Sequence, residues 1–202
     1  MTQAINSTQA GYLQGISSDL MDDALDNTFH DFIQGLTNLD PKLIRPDWIQ
    51  FPPNQPEIST GWISFGVTQT KDDLVPSVRT DSNSTYSIIR NQVLTLRIQF
   101  YGPQSSALHA AYRDGCNIAQ NRDSLTQNGI SIISLQEPRN ASFQLNGQWI
   151  RKLDKFCTFR RVLSTSYPIL TLTSGKVGIY LDTENGEIFQ EINIVEYELN
   201  KN

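Results

Sequence analysis

A chain of 202 residues with 38% hydrophobic and 18% charged residues can bury a core of its own and lies away from the composition of disordered chains. No run of about 18 apolar residues is present and the opening Met-Thr-Gln-Ala-Ile-Asn lacks the basic and apolar regions of a secretory signal, so neither a membrane span nor a leader is expected. The net charge of -5 and pI near 5.0 count against nucleic-acid binding as a main function.

That net charge conceals a segregation. Residues 1–41 hold six Asp and no Lys or Arg. Residues 139–161 then carry six bases (Arg139, Arg151, Lys152, Lys155, Arg160, Arg161) against the single acid Asp154. Residues 182–198 are acidic again, with no base. Solvated faces account for most such runs, and the alternation also suits subunits that meet head to tail.

In chain order, residues 1–17 show neither a helical nor a strand period and are expected to form a flexible arm. Ser17 and Ser18 followed by Asp19, Asp22 and Asp23 make an N-cap with first-turn acids, and the stripe Leu25, Phe29, Phe32, Ile33, Leu36 predicts an amphipathic helix ending over 35–41. Residues 44–57 contain four prolines, so an extended surface run outside any sheet is expected. Strands are predicted over 62–68 and 85–101, the second with Leu94, Leu96, Ile98 and Phe100 on one face. The polar stretch 71–84 between them reads as a long loop.

After Gly102-Pro103, Ser105 or Ser106 is placed to cap a second helix. Its stripe Leu108, Ala111, Tyr112, Gly115, Ile118, Ala119 has small residues that suggest close packing on a sheet. Asn128-Gly129 ends it. A strand over 130–133, a turn at Asn146-Gly147 and a strand or bent strand pair over 149–163 follow. Three further β-type runs (169–172, 177–181, 188–195) suggest a C-terminal hairpin region. The fold class that results is α+β: a mixed, mainly antiparallel sheet backed by two amphipathic helices, with the additional C-terminal β-hairpin region. The expected division is 1–17 arm, 18–166 α+β domain and 167–202 β extension.

Catalytic chemistry finds little support. His30 and His109 are far apart with no partner at metal-ligand spacing, and Cys116 and Cys157 read as buried free thiols. His109 and Cys116 are seven apart on one helix, without the orienting third group a nucleophilic pair needs. Asp22-Asp23 and Asp72-Asp73 sit in a first helical turn and a polar loop, each commonplace. The turn at Asp182 faintly resembles a calcium loop, but its Gly is misplaced and Asn193 stands where a bidentate Glu is needed. The sequons at Asn6, Asn83 and Asn140 lack a secretory context. No phosphate-binding or nucleophile-elbow motif is present. No catalytic, cofactor or metal site is therefore expected.

Some features together are similar to a known family. The opening helix leads to the prolines 46, 52, 53 and 56, and a strand ends in Ile98-Gln-Phe-Tyr-Gly102-Pro. An Ala-rich helix over 107–119, Asn128-Gly129-Ile130 and Leu145-Asn-Gly-Gln-Trp-Ile-Arg151 follow. Over residues 18–163 this order resembles the neck or tail-terminator proteins of long-tailed bacteriophages; the run from Tyr167 onward has no counterpart in it.

The resemblance implies a virion protein assembled in the host cytoplasm. Six copies would form a ring at the head-proximal end of the tail tube, joined to the neck, with DNA passing through the lumen without sequence-specific binding. A ring of identical subunits is built from two different patches meeting, so the acids Asp22, Asp23 and Asp26 and the bases Arg151, Lys152, Arg160 and Arg161 become candidate interface residues. The competing readings are a head-to-tail connector or tail-completion protein, and a small-ligand module or enzyme.

Overall fold

The computed structural model describes residues 3–4, 6–8, 10–50, 53–80, 86–169, 174–183 and 186–195, the last two segments as backbone alone. In chain order the elements are β1 (Gln3–Ala4), β2 (Tyr12–Leu13), β3 (Ile16–Ser17), α1 (Asp22–Thr37), β4 (Ile44–Pro46), β5 (Trp62–Asp72), β6 (Ser77–Thr80) and β7 (Tyr86–Tyr101). They continue with α2 (Ser105–Cys116), α3 (Asp123–Gln127), β8 (Ile130–Leu135), β9 (Arg139–Asn140), β10 (Phe143–Leu145), β11 (Gln148–Ile150), β12 (Lys152–Tyr167), β13 (Ser174–Thr183) and β14 (Gly186–Val195). Two compact units result: Ile16–Val78 with Ile88–Thr165, and Met1–Gly15 with Arg79–Ser87 and Ser166–Asn202.

The larger unit is built on a mixed sheet of order β3-β12-β7-β5-β4, with β8 and β9 also paired to β12 and β6 to β7. β5 and β7 are antiparallel from Trp62↔Tyr101 to Asp72↔Gln92, and β8 and β9 run antiparallel to β12. β4 runs parallel to β5. The α+β class with a mainly antiparallel mixed sheet is thus observed. Leu94, Leu96, Ile98 and Phe100 are buried as the alternation predicts, and join Ile63, Phe65, Cys157 and Phe159 beneath the helices. From α1, Phe29 meets Phe159 of β12 with centroids 5.0 Å apart and Phe32 meets Tyr112 of α2 edge-on at 6.2 Å, so aromatic packing fixes α1 both on the sheet and against α2.

Several expectations change. The helix stripe Leu25, Phe29, Phe32, Ile33 is buried, but Ser17 and Ser18 cap nothing: the N-cap is Met21, without a side-chain bond. Ser17 instead donates to Asp19 (2.6 Å), whose carboxylate also accepts from the Ser164 backbone N–H (2.8 Å), so the segment is committed to β12 before the helix begins. The helix stops at Asn38, in the left-handed region at φ 50, and Gly35 lies within it.

In α2 the N-cap is Gln104, again without a side-chain bond. Ser105 is buried in the first turn, and Ile118 and Ala119 lie past the helix end. The short α3 is a third helix that carries no readable period. A Cβ on Gly115 would stand 2.8 Å from Leu36 Cδ2, so this close approach is α2 on α1 and not helix on sheet.

The proline-rich run does enter the sheet, at its edge, where β4 pairs with β5 and Pro46 needs no outer partner. The expected loop 71–84 is shortened by the continuation of β5 to Asp72 and by β6; residues 81–85 lie outside the described residues. Asn146 and Gly147, at φ 49 and 79, make the expected turn between β10 and β11. In the smaller unit β1 and β2 pair in parallel where no strand period was visible, and β13 and β14 form an antiparallel hairpin from Ser174↔Val195 to Thr183↔Gly186. The strand expected over 169–172 falls largely outside the described residues.

Candidate interaction surfaces

Alternation along β12 sorts the basic residues onto different faces. Lys155, Cys157, Phe159 and Arg161 are buried on the helix side, while Lys152, Asp154 and Arg160 lie on the open face. Arg161 is 6% exposed. Its guanidinium donates to Gln92 Oε1 (2.6 Å), to the Leu20 carbonyl (2.5 Å) and to Met21 Sδ (3.6 Å). Burial pulls its pKa below the usual arginine value. This side chain clamps the start of α1 to the sheet.

Arg160 is exposed and donates to Asn91 Oδ1 at 2.8 Å. Asn91 in turn donates twice to the Asp73 carboxylate, which holds that acid below its ordinary value. Arg151 is exposed at the break before β12, and its carbonyl accepts from the Gly102 N–H (3.0 Å). Lys152 pairs with Asp154 at 3.2 Å. Arg160 lies eight residue steps along β12 from Lys152, about 26 Å at the usual rise. The basic run is therefore split: Lys152 and Arg160 stand apart on the open face, Arg139 and Arg151 are exposed outside β12, and Lys155 and Arg161 are used internally.

Beside Lys152 the open face carries an arrangement invisible to spacing arguments. Trp62 of β5 and Tyr101 of β7 are register partners and stack with centroids 3.9 Å apart and planes 4° apart. Arg45 lies over the outer side of this pair at 5.7 Å from Trp62, and Lys152 at 5.3 Å from Tyr101, a cation at each end of an aromatic pair. Next to it Ser64 and Tyr101 donate to Gln99 Oε1 (2.9 and 3.2 Å), while Gln99 Nε2 donates to Asp154 (3.1 Å). Arg97 is paired with Asp47 at 2.9 Å. A groove of about 370 Å³ opens here, walled by Trp62, Tyr101, Pro46, Ile49 and Phe143. Sequence reasoning missed it because strand register, not composition, brings Trp62 to Tyr101.

The acidic candidates stand together. Asp22 and Asp23 are exposed in the first turn of α1, and Asp26 is half-buried. The Asp26 carboxyl is raised above its ordinary value, first by burial and then by the negative charges of Asp23, Asp22 and Asp47.

The residues considered for chemistry are dispersed or masked from it. His30 hydrogen-bonds the Pro41 carbonyl at 3.2 Å. His109 is buried edge-on against Phe100, and burial, followed by the charges of Lys155 and Arg113, lowers its pKa. Cys116 and Cys157 are free and buried; Tyr112 donates to Cys157 Sγ at 3.6 Å. Among the described residues no group of three or more His, Cys, Asp or Glu is placed to hold a metal, and no helix is long and apolar enough to cross a membrane. The side chains of the turn at Asp182 lie outside the described residues.

The chain matches the family described as phage neck terminator protein over residues 23–184. It belongs to that family. The match runs beyond Tyr167 through β13, so the family pattern extends further along this neck terminator chain than the resemblance read from motifs alone. The family is one of structural phage proteins, which places the chain in the virion neck. Among curated proteins none matches it.

Proposed function

We propose that this neck terminator protein closes the head-proximal end of the phage tail tube as a hexameric ring and joins it to the neck, with DNA passing through the lumen without sequence-specific contact. It acts by assembly in the host cytoplasm and not by catalysis. Family membership over most of the chain carries this reading. In it, 18–166 is the ring-forming domain, and 1–17 and 167–202 reach neighbouring proteins, although the family pattern includes the first part of the latter.

The distribution of charge supports a head-to-tail contact. Asp22, Asp23 and Asp26 crowd one another at the start of α1, and a neighbour's cations would relieve that repulsion. Arg160 and Arg151 are the exposed bases available for it; Lys152 has Asp154 beside it and Arg161 acts by holding α1 in place. Electron microscopy of the purified protein, alone and mixed with tails, tests the reading. Sixfold rings with a central channel, seated at one end of the tube, are expected. Twelvefold rings would transfer the protein to the connector class, and single copies that never bind tails would overturn the ring.

A further inference from the structure

The turn after β5 ends in Leu74 and Val75, which are 101% and 81% exposed, with Val78 close behind at 52%. Isolated apolar residues on a surface are ordinary, but three within five positions around one turn form an apolar patch of the kind that a partner covers. A second feature answers it. Ile58, Pro103 and Trp149 line an open depression of about 700 Å³ with Glu57 and Arg151 on its rim. Its floor is firm, because Gly102 at φ 85 sits against the Thr60 carbonyl and its N–H is bonded to Arg151. Trp149 nevertheless remains 71% exposed.

The strand pair β5–β7 sets these two features apart. The register starts at Trp62↔Tyr101 beside the depression and ends at Asp72↔Gln92 beside the apolar turn, about 30 Å away at the usual strand rise. The turn cannot reach the depression of its own chain. That of a second copy can, and an apolar knob with a complementary pocket elsewhere on the same molecule makes a heterologous contact that propagates from copy to copy. Both signs of charge stand at each feature: Lys71, Asp72 and Asp73 precede the knob, and Glu57 and Arg151 flank the pocket, so the cation of the pocket has acids to meet and its acid has a cation.

We propose that Leu74 and Val75 of one copy insert into the Ile58–Pro103–Trp149 depression of the next. The contact rests on the ring reading and names the residues that would close it. Sedimentation velocity of the full chain, its L74D and I58E variants, and a conservative L74M control tests it, with circular dichroism verifying the fold. L74D and I58E should each weaken self-association roughly tenfold or more, the usual effect of losing an apolar anchor, and L74M should not. A mixture of L74C and I58C copies treated with diamide should give a cross-linked dimer that neither variant gives alone, the native thiols being buried. Self-association of L74D and I58E equal to that of the parent overturns this contact and leaves the ring standing. A parent chain that stays monomeric at every concentration and on tails overturns both.

Discussion

Asp26 shows how one side chain can report on the whole acidic cluster. Its carboxyl titrates above the ordinary 3.8 because it is half-buried and because Asp23, Asp22 and Asp47 surround it with negative charge. The folded chain therefore holds this proton more tightly than the unfolded chain does. Stability is greatest below the ordinary value, falls as pH rises through it to the raised value, and stays lower by a constant amount above that. Asp26→Asn removes the ionisation, so its melting temperature should exceed the parent's near about pH 7 and converge with it near about pH 3. A difference that is the same at every pH would mean a packing effect instead. The cysteines make the opposite point, that residues suited to chemistry can be withheld from it. Burial pushes Cys116 up to about 12 and Cys157 up to about 11. Only the thiolate reacts, so iodoacetamide at about pH 8 should label neither thiol in the folded chain and both in urea, as mass spectrometry would show. Labelling of the native chain at the rate of a free thiol would contradict the burial.

At the scale of elements, the corner between β7 and α2 depends on Gly102. At φ 85 a side chain there is strained, and its Cβ would lie 2.5 Å from the Thr60 carbonyl oxygen, a backbone atom that cannot yield cheaply. Gly147, at φ 79, has nothing within 4 Å. The two substitutions separate strain from collision: Gly147→Ala should cost about 1–2 kcal/mol from backbone conformation alone, and Gly102→Ala about 3 kcal/mol or more. Urea midpoints at unchanged slope measure this, and equal losses at both sites would refute the collision. These corners were legible in the sequence as Gly102-Pro103 and Asn146-Gly147, and so were α1 and the core face of β7, because hydrophobic period and turn chemistry are local signals. The caps were not. Ser17 is committed to Asp19, and Asp19 to β12, which is a tertiary bond that overrides local preference. Period likewise hid α3, too short to show one, and β4, whose Pro46 is tolerated because the strand lies on an edge. Of the candidate site, residue types were readable but faces were not: Arg160 and Arg161 are adjacent in sequence and opposite in the sheet, and the Trp62–Tyr101 stack exists only through register.

At the scale of the whole molecule, that inversion decides how the proposed ring can be tested. Reversing Arg161 would leave the Leu20 carbonyl and Gln92 without their buried donor, so loss of assembly could come from unfolding. Arg160 is a cleaner choice, since it is exposed and its guanidinium donates to the Asn91 side chain at 2.8 Å beside Asp73, so its reversal strips no buried group of its donor. Exposed ion pairs contribute about 0.2–1 kcal/mol each and weaken with salt, so a single reversal is a modest loss at one interface. A ring of identical copies repeats that loss at every interface, which makes assembly a more sensitive readout than folding stability. Arg160→Glu should therefore lower the mass of the assembled species at low salt while leaving the melting temperature close to the parent's, and salt should reduce the parent's association toward that of the variant. Adding Asp23→Arg to the same chain restores opposite signs at each contact if Arg160 faces Asp23 of the neighbour, and should recover assembly. Recovery by the double variant, read by light scattering against both single variants, separates a specific pairing from a general change of surface charge; failure to recover, with both single variants impaired, would send the acidic turn and the basic strand to different partners.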